Sequence, residues 1–122
     1  MKKIVFLLFA TAGLLSTKAQ LTNTSWQGIF KMPEPTKMIL QFKSDSLFFN
    51  DPETGNNFEA MSYELRNDTL TFIKLSGNSS CSTTDKGMYK VEIKDDHLFM
   101  SLINDECYDR PSAIPEEGLS KL

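Results

Sequence analysis

Few side chains in this sequence are equipped for chemistry. Among 122 residues there are two cysteines, Cys81 and Cys107, and one histidine, His97. A structural zinc site wants four nitrogen or sulfur ligands, so no metal is expected, and nothing in the chain calls for a cofactor. Catalysis through a histidine would have to use His97, which follows Asp95-Asp96 where the chain reads as a turn; an exposed turn residue is the plain account. The chain holds no Gly-x-Ser-x-Gly, Gly-rich phosphate loop or His-Glu-x-x-His. Asp105-Glu106 and Glu116-Glu117 lie in polar ends and read as solvated charge. Asp51-x-Glu53-x-Gly55-Asn56 sets oxygen ligands at alternate positions, but Pro52 and the missing distal Glu of a calcium loop favour a hairpin turn. No constellation meets the requirement of a nucleophile with its base, so an enzyme is not expected. What the two cysteines can do is pair, if their compartment is oxidising.

The first nineteen residues supply that condition. Lys2 and Lys3 give a basic start, Ile4 to Leu15 an apolar run of about twelve, and Thr17-Lys18-Ala19 a small-residue site, the three parts of a secretory signal peptide cleaved after Ala19. The run is well short of the roughly 20 residues that span a bilayer. No cysteine stands near the cleavage point for lipid attachment. The expected product is an exported protein, periplasmic or secreted, free of the membrane after cleavage. Its 103 residues would carry 10 Lys+Arg against 16 Asp+Glu, a formal charge of −6. That balance argues against nucleic acid or anionic lipid as a partner. A disulfide between Cys81 and Cys107 closes a loop of roughly 27 residues, worth about 3.5 kcal/mol in the chain-entropy model, a structural role suited to a small domain.

The elements between are read from period. Apolar and polar residues alternate from Trp26 onward, and no window of eleven gives a helical stripe, so the domain is expected to be all-β. Trp26, Gly28 and Phe30 share one face of a first strand that ends at Pro33 and Pro35. Met38, Leu40 and Phe42 mark a second strand, Leu47 to Phe49 a third, Phe58 to Leu65 a fourth and Thr69 to Leu75 a fifth. Ser76 to Thr84 reads as a polar loop. Tyr89, Val91 and Ile93 alternate with Met88, Lys90 and Glu92 in a sixth, and Asp95-Asp96 turns into a seventh over His97 to Ile103. Thr22 to Thr24 or the final segment can supply an eighth. Such spacing suggests a small antiparallel up-and-down barrel of about eight strands, favoured over a two-sheet sandwich because closure removes exposed edges. The expected layout is a signal peptide over 1–19, a barrel domain over 20–110, and a partly ordered tail over 111–122.

Trp26 is the only tryptophan, on the apolar face at the start of the first strand, and Arg110 follows the last. The stretch Thr24-Ser25-Trp26-Gln27-Gly28 resembles the opening of lipocalin-type barrels, with Thr24 standing where that family has Gly. The resemblance implies that Arg110 packs across Trp26 and closes the barrel, a cation–π contact worth about 0.5 to 2 kcal/mol. Together with Asn67-Asp68-Thr69-Leu70, Cys81, Gly87-Met88-Tyr89 and Asp105-Glu106-Cys107-Tyr108-Asp109-Arg110, the chain is similar over about residues 24 to 110 to small exported lipocalin-like (calycin-type) proteins of Bacteroidetes-type bacteria. The Thr-Asp-Tyr loop motif of true lipocalins has no counterpart.

Two functions follow as expectations. One is a non-catalytic monomeric barrel that takes a small apolar or amphipathic ligand, lined by Phe30, Phe42, Tyr63, Phe72, Tyr89 and Met100, and needing a cavity of at least about 300 Å³. The other is a filled barrel that binds another envelope protein through loop 76–84 or through an outer patch with Ile29, Ile39 and Phe48. The barrel is short, and Met38, Leu40, Phe42, Met61, Tyr63, Leu65, Tyr89, Val91, Ile93, Leu98 and Met100 suffice to fill it, which favours a packed interior over a cavity.

Overall fold

The computed structural model describes residues 17–122, so the first sixteen residues of the expected signal peptide lie outside the described part. Eight strands follow in chain order: β1 (Thr24–Lys31), β2 (Pro35–Phe42), β3 (Ser46–Asn50), β4 (Asn57–Arg66), β5 (Thr69–Gly77), β6 (Lys86–Lys94), β7 (His97–Asp105) and β8 (Leu119–Lys121). Each pairs antiparallel with the next, and β8 returns to β1, giving a closed up-and-down barrel. Two short helices join them, α1 (Thr17–Leu21) ahead of β1 and α2 (Arg110–Ala113) between β7 and β8.

Local chemistry explains the meander. Asn67 and Asp68 both take positive φ, at 49° and 64°, and Asp95 and Asp96 do the same at 52° and 59°. Two successive left-handed residues make the hairpin turn whose twist matches the flanking strands, and Asn and Asp tolerate that region better than other side chains. The turns set Arg66 opposite Thr69 and Lys94 opposite His97. Register then follows, since period two puts Met61 and Tyr63 of β4, Leu70 and Phe72 of β5, and Tyr89 and Val91 of β6 on the buried face.

The end of the barrel where β1 begins is packed solid. Leu21 of α1 is fully buried there, beside a core that includes Trp26, Phe42, Leu47, Leu70, Val91, Leu98 and Leu119. The Leu21 carbonyl accepts the Thr24 hydroxyl, whose oxygen accepts the Trp26 indole N–H at 2.8 Å. Phe42 and Tyr63 meet edge to face at 5.3 Å, and the Tyr63 hydroxyl donates to the Lys43 carbonyl at 2.5 Å. The exposed residues 18–20 precede this plug, and burial begins at Leu21.

The segment 111–122 departs from the expected loose tail. Leu119 is 1% exposed and pairs with Leu98, while Ser120 and Lys121 pair with Gln27 and Trp26. The final segment therefore supplies the eighth strand, which a three-residue run is too short to announce by alternation. Because β8 is so short, β1 beyond Gln27 and β7 beyond Leu98 have no strand between them. Residues 110–118 lie over that gap: a Cβ on Gly28 would meet Leu119, the Gly118 carbonyl and Pro115.

Cys81 and Cys107 form a disulfide, with Cα atoms 5.3 Å apart. It ties the segment after β5 to the segment after β7. Replacing both cysteines by alanine is expected to lower stability by about 3.5 kcal/mol, the chain-entropy value for a loop of this length. Urea unfolding of the oxidised protein and of the variant, compared by midpoint and slope, measures the loss.

Candidate functional site

At the opposite end the barrel is hollow. A cavity of about 750 Å³ opens there, walled by Phe30, Met32 and Leu40 from β1, β2 and their turn, by Phe49, Phe58 and Met61 from β3 and β4, by Phe72 and Met100, and by Ile114 beyond α2. Its aromatic side is built edge to face, with Phe30 and Phe49 at 4.7 Å and Phe49 and Phe58 at 5.8 Å. Each pair sets the edge of one ring against the face of the next, so the three rings brace one another along this side of the cavity. The packed interior expected from the residue count is thus present in only one half of the barrel. Of the residues expected to fill the barrel, Leu40, Met61 and Met100 stand instead on the cavity wall, where α2 and loop 78–81 form the rim.

Three of the six expected lining residues, Phe30, Phe72 and Met100, stand on the cavity wall. Phe42 and Tyr63 belong to the packed end. Tyr89 lies behind the wall, its ring 5.5 Å from that of Phe72. Alternation told which residues point inward; it carries no information on which half of the axis is filled. Phe58 was missed because it is the extra residue of a bulge, Phe49 pairing with Glu59 and Asn50 with Asn57, whereas Phe49 keeps the alternation set by Leu47 and could have been read from it.

The expected contact of Arg110 with Trp26 is replaced by another. Trp26 sits near the plugged end, whereas Arg110 starts α2 at the open end, with its guanidinium 4.8 Å from the centre of the Phe72 ring. The chain reaches Trp26 with β8, nine residues further on, and it is Lys121 that pairs with Trp26 across the ladder.

Arg110 is held by a buried carboxylate. Its Nε donates to Asp105 Oδ2 and its Nη2 to Asp105 Oδ1, both at 2.8 Å, and Nη2 also donates to the Asp85 carbonyl at 3.2 Å. Asp105 further accepts the Tyr89 hydroxyl at 2.6 Å and the Cys107 amide at 2.8 Å. The Asp105 side chain has no exposure and that of Arg110 has 10%. Burial alone would raise the Asp105 pKa; the hydrogen bonds from Arg110, Tyr89 and Cys107, with the charge of Arg110, outweigh it and hold the carboxyl below its ordinary 3.8. Burial and the Asp105 contact together push the Tyr89 phenol far up, so it stays a neutral donor.

A second polar group borders the cavity. Lys74 and Glu59 are both buried, Lys74 Nζ lies 3.8 Å from Glu59 Oε1, and it donates to the carbonyls of Ser79 and Cys81 at 2.9 Å each. The Ser79 hydroxyl donates to Glu59. These bonds pin loop 78–81 to the rim, and Ser80 adds a bond to Asp109 Oδ2 at 2.9 Å just before α2.

His97 is exposed at the other end, with Nδ1 2.9 Å from the Asp95 carbonyl and its ring stacked on Phe99. Among the described residues no three His, Cys, Asp or Glu side chains gather closely enough to hold a metal ion. Compared with known proteins, the chain matches no family model, no curated protein and no solved structure, so the site is read on its own geometry.

Asp105→Asn is expected to lower stability at neutral pH by about 3 kcal/mol or more, since it leaves the Arg110 charge buried without its partner. The depressed pKa makes Asp105 stabilising above 3.8, and that contribution is lost as the pH falls below this value through the lower folded one. Urea midpoints at neutral pH and near pH 3 should therefore drop less between the two conditions in the variant than in the native chain.

A Cβ on Gly87 would press into the Phe72 ring and approach Arg110 Nη2 at 3.1 Å. Gly87→Ala is expected to cost about 1 to 3 kcal/mol by overpacking, measured by thermal unfolding.

Proposed function

We propose that this protein is a non-catalytic binding barrel that carries a small apolar or amphipathic molecule in the hollow half of its interior. The observation that carries the reading is the 750 Å³ cavity with its wall of Phe, Met, Leu and Ile side chains. Its volume lies within the usual range for ligand pockets and is more than twice the minimum expected for this function. The polar part of the lining, Lys31, Glu59, Asp109, Arg110, Ser112 and loop 78–81, would orient a ligand without reacting with it. Export in the oxidised state, the lipocalin-like character suggested by Trp26 and its flanking residues, and a monomeric state belong to the same proposal. The disulfide is compatible with export.

A second reading, binding of another protein, draws support from a different surface. Leu102 and Ile103 are more than half exposed on the part of β7 that lacks a second strand neighbour, and Tyr108, at 95% exposure, follows them. Ile29 is exposed on β1, while Ile39 and Phe48 of the expected outer patch are half-buried.

Native mass spectrometry of the oxidised protein from its own producing cells, before and after denaturing extraction, separates the two. The cavity reading expects an extra mass that extraction removes. It also expects the neutral fluorophore N-phenyl-1-naphthylamine to bind, and Met100→Trp, which fills the cavity, to weaken that binding about tenfold or more without altering the circular dichroism spectrum. A bare mass together with no fluorophore binding overturns it in favour of the protein-binding surface.

A further inference from the structure

The cavity surrounds the barrel axis instead of lying between two elements. Its wall takes residues from β1, β2, β3, β4, β5 and β7, and residues 110–114 extend it over the gap between β7 and β1. Depth and width follow from where these residues sit. On β5 and the loop after it the wall runs from buried Phe72 to exposed Asn78 at the rim. Six residues at about 3.3 Å each, inclined about 40° to a barrel axis, rise about 15 Å. On β4 the wall runs only from Phe58 to Met61, a shorter span. Taking the greater depth, 750 Å³ corresponds to a mean section of about 50 Å², about 8 Å across. Carbon atoms in contact sit about 4 Å apart, so a single extended hydrocarbon chain is about 4 Å thick. The hollow is thus about twice as wide as such a chain.

The wall holds that width. Phe30, Phe49 and Phe58 brace one another on one side. Phe72 is fixed by the Arg110 guanidinium 4.8 Å from its centre, by the Tyr89 ring and by the close approach of Gly87. A thin guest would leave empty space beside it, and wall atoms facing that space would lose their dispersion partners. A chain could fill the width only by folding back on itself, which surrenders rotamer freedom on binding. A fused-ring or cage skeleton is already about two chains wide and has no such freedom to lose. Met32, Met61 and Met100, on the β1–β2 turn, β4 and β7, are flexible enough to follow the outline of such a body.

Resting on the proposed binding function, we infer that the guest is a compact polycyclic or cage-like hydrocarbon body, about two chains wide and no longer than the cavity is deep, and not a single extended chain. The body lies against the buried side chains of Leu40, Met61 and Phe72. A polar substituent, where the guest has one, stays at the rim, where Lys31, Asn78, Ser80 and Asp109 are exposed. Selection acts through shape.

The test uses three alcohols of equal carbon number, dodecan-1-ol, cyclododecanol and 2-(1-adamantyl)ethanol, each displacing N-phenyl-1-naphthylamine from the full oxidised protein. Each affinity is referred to octanol through the probe's own partition coefficient, so that the gain from leaving water cancels and fit remains. The two ring alcohols are expected to bind about tenfold more tightly than the chain on that scale. Met100→Trp, which narrows the section, is expected to remove their advantage. Equal or tighter binding of dodecan-1-ol overturns the inference and assigns a folded-back chain as guest. An advantage that survives Met100→Trp overturns the placement of the ring body in this cavity. If the fluorophore does not bind at all, the binding function itself fails, a different outcome from either. Should Met100→Trp not fold, the ranking of the three alcohols on the native chain decides alone.

Discussion

The Asp105 carboxylate is the joint on which the open end of the barrel depends. Four hydrogen bonds converge on its two oxygens, from Arg110 twice, Tyr89 and the Cys107 amide. Each donor anchors a different part of the rim, Tyr89 the wall of β6, Cys107 the disulfide and Arg110 the start of α2. With no exposure of its own, the carboxylate can remain charged only because those donors replace water. In return it fixes the positions of all three. The cation then covers the Phe72 ring, and Gly87 exists as glycine because Phe72 and Arg110 leave no room for a Cβ beside them. Removing the carboxylate would therefore loosen the rim, the disulfide segment and one wall of the cavity together.

The two ends of the barrel solve the same problem in different ways. At one end a single leucine on a short helix seals an interior of large apolar side chains in mutual contact. At the other, the aromatic residues brace each other edge to face, and the rim is made of polar loops anchored by buried charges, Lys74 with Glu59 and Arg110 with Asp105. Packing supplies stability to the first half, while hydrogen-bonded ion pairs and a covalent link supply shape to the second. A hollow needs walls that hold without being filled, and directional contacts do this better than dispersion does.

Strand positions were legible in the sequence because β-structure is written locally. Asn67-Asp68 and Asp95-Asp96 announce their turns by residue type, and the alternation of Tyr89, Val91 and Ile93 states which face is buried. The disulfide was legible from the cysteine count together with the expectation of export. The helix holding Leu21, the three-residue β8 and the site of Arg110 were not, because each is settled by contacts between segments far apart in the chain. The pairing of Arg110 with Trp26 failed for this reason: both residues lie near the ends of the domain in sequence, yet the strand direction puts them at opposite ends of the barrel. The cavity was legible only as a set of inward residues. Which half is filled depends on where the α1 plug sits, and that leaves no periodic trace.

The shortness of β8 has a consequence for how the barrel opens. It is held by two ladder pairs to β1 and two to β7, whereas β4 and β5 share eight. Every other seam joins strands adjacent in sequence, so seven strands remain a continuous curled sheet when this one detaches. Backbone amides of Leu119 to Lys121 should thus exchange with solvent through a local opening of much lower free energy than global unfolding. In that opened form residues 111–118 keep only their first anchor, Arg110 on Asp105, beside the gap between β1 and β7, and the hollow half should become reachable through the side wall as well as through the rim.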